Sequence, residues 1–189
     1  MTQYLALLRG INVGGNNIIK MADLKSCFEA AGFDAVQTYI QSGNVVFCAP
    51  EAEPGQIAAR IEDGLAETFG VSVAVLVCDH ARLKAIVEGA PAGFGDEPAT
   101  YRYNVIFMMG PATADELLQS VKPKEGVDQG FAGDGVCYFW NLIARATQSR
   151  LSRIVGTPIY QYVTIRNWNT TTRLLALMDS RAGSSKGML

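Results

Sequence analysis

Val36-Gln37-Thr38-Tyr39-Ile40, then Gln41-Ser42-Gly43, then Asn44-Val45-Val46-Phe47-Cys48 is the stretch from which the fold can be read. Two runs rich in β-branched and aromatic residues flank a polar break with a glycine, which predicts a hairpin. Upstream, Tyr4 to Arg9 is an apolar run too short for a helix and followed by glycines, so it reads as a buried strand. Leu24, Cys27, Phe28 and Ala31 then recur at helical spacing, with Gly32 where a helix stops. Downstream of Pro54, the series Ile57, Ile61, Leu65 and Phe69 marks one face of a helix ended by Gly70. Val71, Val73, Val75 and Val77 alternate as a strand does. The predicted order is βαββαβ.

The second half repeats that order. Tyr101 to Met109 reads as a strand, and Thr113-x-x-Glu116 is a capping box that opens a helix. Val127–Phe131 and Val136–Trp140 flank Gly133-Asp134-Gly135, a second hairpin. Leu151, Ile154 and Val155 predict a helix stopped by Gly156, and Tyr160 to Ile165 a closing strand. Thr171, Leu174, Leu175 and Met178 space out a C-terminal helix. The expectation is an α+β protein of tandem ferredoxin-like units with antiparallel sheets, packed as one compact body with a C-terminal helix. Its divisions are 1–79 for the first unit, 80–100 for a connecting helix and linker, 101–180 for the second unit, and 181–189 for a frayed tail.

A chain of 189 residues with 49% hydrophobic and 18% charged residues can bury a core, which excludes wholesale disorder. No apolar run approaches the ~20 residues that span a bilayer, and the N-terminus lacks a signal-peptide pattern. A soluble cytoplasmic protein is expected, with no membrane partner. Four spaced cysteines and one histidine make no metal or redox motif, so neither a metal nor a cofactor is expected.

Charge is uneven. Residues 145–189 carry seven cations against the single anion Asp179, whereas 1–95 and 96–144 are each acidic. Six of those seven are arginine, the side chain suited to planar, bidentate partners. An anionic ligand is one reading, and docking of a basic segment on an acidic remainder is the other.

Two segments could hold an anion. Arg166-Asn167-Trp168-Asn169-Thr170-Thr171-Thr172-Arg173 leaves a strand and opens a helix, with Asn167 or Asn169 as N-cap and two arginines beside the helix N-terminus. Arg166, Asn167, Asn169, Thr170 and Arg173 would form a polar wall, joined by Arg150 and Arg153 at the start of another predicted helix. The second segment, Arg9 to Asn17, is a Gly/Asn loop after a strand, with Arg9, Asn12, Gly14 and Gly15 as candidates. It fits neither phosphate template. Asn16-Asn17 stand where a P-loop needs Lys-Ser/Thr, and Asn12 replaces the second glycine of the dinucleotide pattern. A glycine-dependent turn stabilised by asparagines is the structural alternative.

Catalytic candidates do not converge. Glu62-Asp63 and Asp115-Glu116 are sequence neighbours and cannot share a helix face. His80 could titrate near neutrality, and Ser42 has no identified base. Nucleic-acid binding is disfavoured by a pI near 5.4 and by the lack of an RNP1-like pattern.

The motifs Leu7-Leu8-Arg9-Gly10-Ile11-Asn12-Val13-Gly14-Gly15, Lys20-Met21, Thr38 to Phe47, Ser149-Arg150-Leu151 and Arg166-Asn167-Trp168-Asn169-Thr170 together resemble the domain of unknown function 1697 family, over roughly residues 3–179. The resemblance implies a tandem ferredoxin-like fold of bacterial type and brings no catalytic residues with it. Arg150 stands where that family carries lysine, and Asn16 and Ile18 where it often does. The expected function is binding of a small anionic or nucleotide-like ligand. An enzyme using the same pocket is the first alternative; a protein-interaction, dimerisation or single-strand-binding module is the other, with homo-oligomerisation left open.

Overall fold

The strand that begins the chain, β1 (Thr2–Leu8), is the centre of the first sheet because both of its faces are apolar. It pairs antiparallel with β3 (Asn44–Ala49) on one side and β4 (Val75–Asp79) on the other. β2 (Asp34–Tyr39) completes the order β2-β3-β1-β4. The computed structural model describes residues 1–15 and 17–184. By contacts it divides into one unit of Met1–Lys84 with Leu174–Leu189 and a second of Ala85–Arg173.

In the first unit, α1 (Met21–Ala30) and α2 (Pro54–Phe69) cover one sheet face. Tyr4, Ala6 and Leu8 of β1 alternate onto that face, where they meet Phe28, Phe47, Ile61 and Leu65 in a single core. Each large apolar side chain there, such as Leu8, Phe28, Phe47, Ile61 or Leu65, contributes about 1.5–3 kcal/mol by burial. Gly70 ends α2 at φ +66°, in the left-handed conformation that a C-terminal glycine supplies. The element order is the predicted βαββαβ.

One boundary differs. Pairing starts at Val75, opposite Leu8, and Val71 to Ala74 lie outside the ladder. Val73 is nevertheless buried in the core, so over Val71–Ala74 the valine alternation reports side-chain burial, and only from Val75 does it report a strand. The fourth strand runs into α3 (His80–Glu88).

The second unit is built on β5 (Tyr101–Met108), α4 (Ala114–Val121), β6 (Asp128–Gly133), β7 (Val136–Leu142) and β8 (Val163–Asn167), in the antiparallel order β6-β7-β5-β8. The capping box is present: Thr113 Oγ1 accepts from Glu116 N at 3.2 Å and Glu116 Oε2 accepts from Thr113 N at 2.9 Å. One face of this sheet packs Ile106, Cys137, Phe139 and Val163 on Leu117, Val121 and Ile154. On the other, Phe94 from the Gly/Pro-rich segment 89–100 is buried against Tyr103, Tyr138, Trp140 and Trp168.

The predicted helix around Leu151–Val155 is not α-helical. Residues 143–162 form three 3-10 segments, Ile143–Gln148, Leu151–Gly156 and Pro158–Tyr162. Gly156 and Pro158 cut the run too short to offset helix nucleation. At three residues per turn, Leu151 and Ile154 share a face while Val155 turns outward, 62% exposed. The closing strand accordingly starts at Val163, not Tyr160. The last helix, α5 (Trp168–Ser184), has its first turn in the second unit and its remainder in the first. The helix runs to Ser184, and residues 185–189 of the tail expected to fray lie outside the described residues.

Candidate functional site

Asn167 is the last residue of β8 and the N-cap of α5: its Oδ1 accepts from Thr170 N at 2.7 Å. That settles which asparagine caps. The threonines that follow bond back along the helix, Thr171 Oγ1 to Asn167 O at 3.0 Å and Thr172 Oγ1 to Trp168 O at 3.1 Å. Thr170 and Thr171 are buried, and the run is spent on the helix itself.

Strand alternation splits the predicted polar wall. Arg166 stands opposite Val105 and Asn167 opposite Asn104, so their side chains leave on opposite sheet faces. Arg166 is 6% exposed and donates to Thr164 Oγ1 at 2.9 Å and to Ile165 O at 2.8 Å. Burial pulls its guanidinium down to a pKa of about 10. Arg173 is exposed, one helical turn beyond Asn169 on the same face.

What gathers beside Asn167 and Asn169 instead comes from β5. This strand pairs with β7 from Tyr101 onward but with β8 only from Asn104, so Tyr101–Tyr103 have a strand neighbour on one side alone. The first turn of α5 and the Gly95–Pro98 loop bound the space left, a recess of about 170 Å³ also lined by Tyr101, Arg102, Tyr103 and Trp168. Gly95 is required here: at φ +99° a Cβ would collide with the Trp168 indole.

Arg102 also lines a second, larger groove of about 340 Å³ on the sheet face beneath the 3-10 segments. Its polar lining is Arg102, Asn104, Asn141, Ser149, Ser152 and Tyr160, and its aliphatic wall includes Leu151, Ile154, Val155 and Ile165. Arg102, Asn141 and Asp128 form a row across β5, β7 and β6, and Asn104 follows Arg102 two residues along β5. Asn104 is 8% exposed and its carboxamide has no hydrogen-bond partner among the described residues. Asn141 is 4% exposed and donates only to Leu142 O among the described residues, at 3.3 Å. The Arg102 guanidinium makes no ion pair or hydrogen bond among the described residues either. The residues are buried, but neither carboxamide has an atom that is closed off from solvent and unbonded, so both can bond to whatever enters the groove.

Asp128 secures the groove's rim. Its Oδ2 accepts from Arg150 N at 2.9 Å and Lys124 N at 3.1 Å, while its Oδ1 is buried without a partner among the described residues. Arg150 donates to Lys122 O at 3.0 Å, and Arg153 is exposed. Neither arginine lines the groove.

The Arg9–Asn17 loop belongs to the first unit, whereas Arg166–Arg173 belongs to the second. Asn12 holds the loop closed: its Nδ2 donates to Ile19 O and Gln41 O at 2.9 Å each, and its Oδ1 accepts from Ile19 N at 2.8 Å. That carboxamide is fully engaged. Arg9 N donates to Ala74 O at 2.9 Å, and Gly14 and Gly15 adopt positive φ in open space. Among the described residues, no carboxylate, histidine or cysteine lines the recess or the groove. His80 is in the first unit, 2.6 Å from Asp179. No cluster of three or more His, Cys, Asp or Glu that could hold a metal occurs among the described residues, and no helix there is long and apolar enough to cross a membrane.

Arg102, Asn104 and Asn141 are not among the candidates named from the sequence. The available signal was period two: Arg102 and Asn104 put polar groups on one face of an otherwise apolar central strand.

A family model described as Protein of unknown function (DUF1697) matches residues 1–138. A solved structure of a conserved bacterial protein from Streptococcus pneumoniae superposes with a TM-score of 0.80 at 23% identity, covering 93% of this chain and 97% of that one, a likeness of fold. No curated protein matches.

Proposed function

We propose that this chain, which belongs to the DUF1697 family of proteins of unknown function, binds a small anionic ligand in the recess and groove around Arg102. The observation that carries this reading is the pairing of an unengaged guanidinium with the buried, unengaged carboxamide of Asn104 in one groove. A guanidinium offers a charge-assisted fork to an anion, and the carboxamides of Asn104 and Asn141 orient the neutral remainder of the ligand. Asn167 and Asn169 add polar edges at the first turn of α5, whose dipole favours negative charge. Arg166 supports the sheet and does not contact the ligand. The groove volume is near the lower end for small-molecule sites, about 300–1,000 Å³.

The test is a thermal-shift panel of nucleotides, sugar phosphates and carboxylates on the parent and on Arg102→Ala. A ligand at 100 times its dissociation constant adds about 2.7 kcal/mol of stability. The expected result is stabilisation of the parent by at least one anion, lost in Arg102→Ala. Equal stabilisation of both proteins by every active compound would refute the site.

A further inference from the structure

Resting on the reading above, we infer that the ligand is a small monocarboxylate with an apolar body, its carboxylate on Arg102 and its chain along the aliphatic wall of the groove. Charge balance comes first. Among the described residues, Arg102 is the one charged residue lining the recess and the groove. A phosphomonoester carries about −1.5 to −2 at neutral pH, and its second charge would sit beside buried amides with no cation to meet it. A carboxylate is matched by one guanidinium, and its planar oxygens fit the fork.

The second observation is the neutral donor. Asn104 lies two residues from Arg102 on the same face of β5, nine-tenths buried, facing the groove and without a hydrogen bond among the described residues. A carboxamide in that state accepts or donates one bond to an uncharged group or carboxylate oxygen and supplies no second positive charge. Third, Leu151 and Ile154 of the 3-10 segment and Ile165 of β8 add aliphatic lining to the groove, which a fully phosphorylated or polyhydroxylated body would leave unfilled.

The experiment is calorimetric titration of n-alkanoates from propionate to hexanoate, and of the matching alkyl phosphates, at one ionic strength. The proteins are the parent, Arg102→Lys and Arg102→Gln; Arg102 is exposed and unbonded among the described residues, so these variants keep the fold. Alkanoate affinity is expected to rise up to roughly fourfold per added methylene until the groove is filled. Arg102→Lys, which keeps the charge and loses the fork, is expected to weaken binding about tenfold, and Arg102→Gln more. Alkyl phosphates binding the parent more tightly than alkanoates, with loss in Arg102→Gln, would overturn the carboxylate assignment and leave the anion site standing. Binding of neither series, or binding indifferent to Arg102, would overturn both.

Discussion

Asn167 serves the helix and the recess at once, and replacing it separates the two roles. Asn167→Ala removes the acceptor for Thr170 N at 2.7 Å, a loss of about 1 kcal/mol for an N-cap. In a chain of this size that lowers the melting temperature by about 2–4 °C. Asn167→Asp keeps an acceptor and adds a charge favourable to the helix dipole by about 0.3–1 kcal/mol. It should therefore be at least as stable as the parent. The same carboxylate faces the recess that Arg102 lines. A second negative charge in that recess repels a bound anion. Asn167 is exposed, and screening brings the expected loss of anion affinity to roughly threefold to tenfold. Urea denaturation gives the stabilities, and hexanoate titration on the same three proteins gives the affinities. An Asp variant no more stable than the Ala variant would refute the cap; an Asp variant binding hexanoate as the parent does would refute the anion's position.

Gly43→Ala places a Cβ 2.8 Å from Leu8 Cβ and 2.9 Å from Ile11 at φ +74°, and should cost about 2–4 kcal/mol in denaturant unfolding; a loss below 1 kcal/mol would contradict the packing of that hairpin. Burial pushes the Cys78 and Cys137 thiols up to about 12 from 9.0. The unfolded chain then releases protons that the folded chain keeps, so their contribution is full below pH 9 and is lost as pH rises toward 12, by up to about 1.4 kcal/mol per pH unit for each thiol. Urea unfolding at pH 8, 9 and 10 should show this fall, and Cys78→Ala with Cys137→Ala should reduce it; an unchanged slope would count against buried thiols. Arg166→Ala should lower stability by about 2–3 kcal/mol through lost packing and the bonds to Thr164 and Ile165, while leaving hexanoate affinity within about twofold. A parallel loss of binding would return Arg166 to the site.

The first unit was legible because its signals are local and agree. Apolar runs end in Gly32 and Gly70, the hairpin carries Gly43, and helix spacing persists for sixteen residues in α2. Thr113 and Glu116 likewise wrote a helix start that the structure has. Leu151, Ile154 and Val155 have the i, i+3, i+4 spacing of an α-helix, but the chain breaks at Gly156 and Pro158 leave a 3-10 segment in which only Leu151 and Ile154 share a face. The site was half legible. Asn167 and Asn169 could be placed at a helix start from their types, yet Arg166 beside them faces the other way, which only the strand register reveals. Arg102 and Asn104 carry a local period-two signal, but Asn141 joins them only through pairing with a strand some forty residues on, which no local pattern carries.

The most direct measurement follows the side-chain amide signals of Asn104 and Asn141 by NMR while hexanoate is added. A carboxylate seated on Arg102 shifts both pairs of amide resonances along one saturable curve, together with the Arg102 Nε–H signal. The same titration of Arg102→Gln should leave them where they are. Shifts confined to the Arg9–Asn17 loop, or no saturable shift at Asn104 and Asn141, would contradict the account.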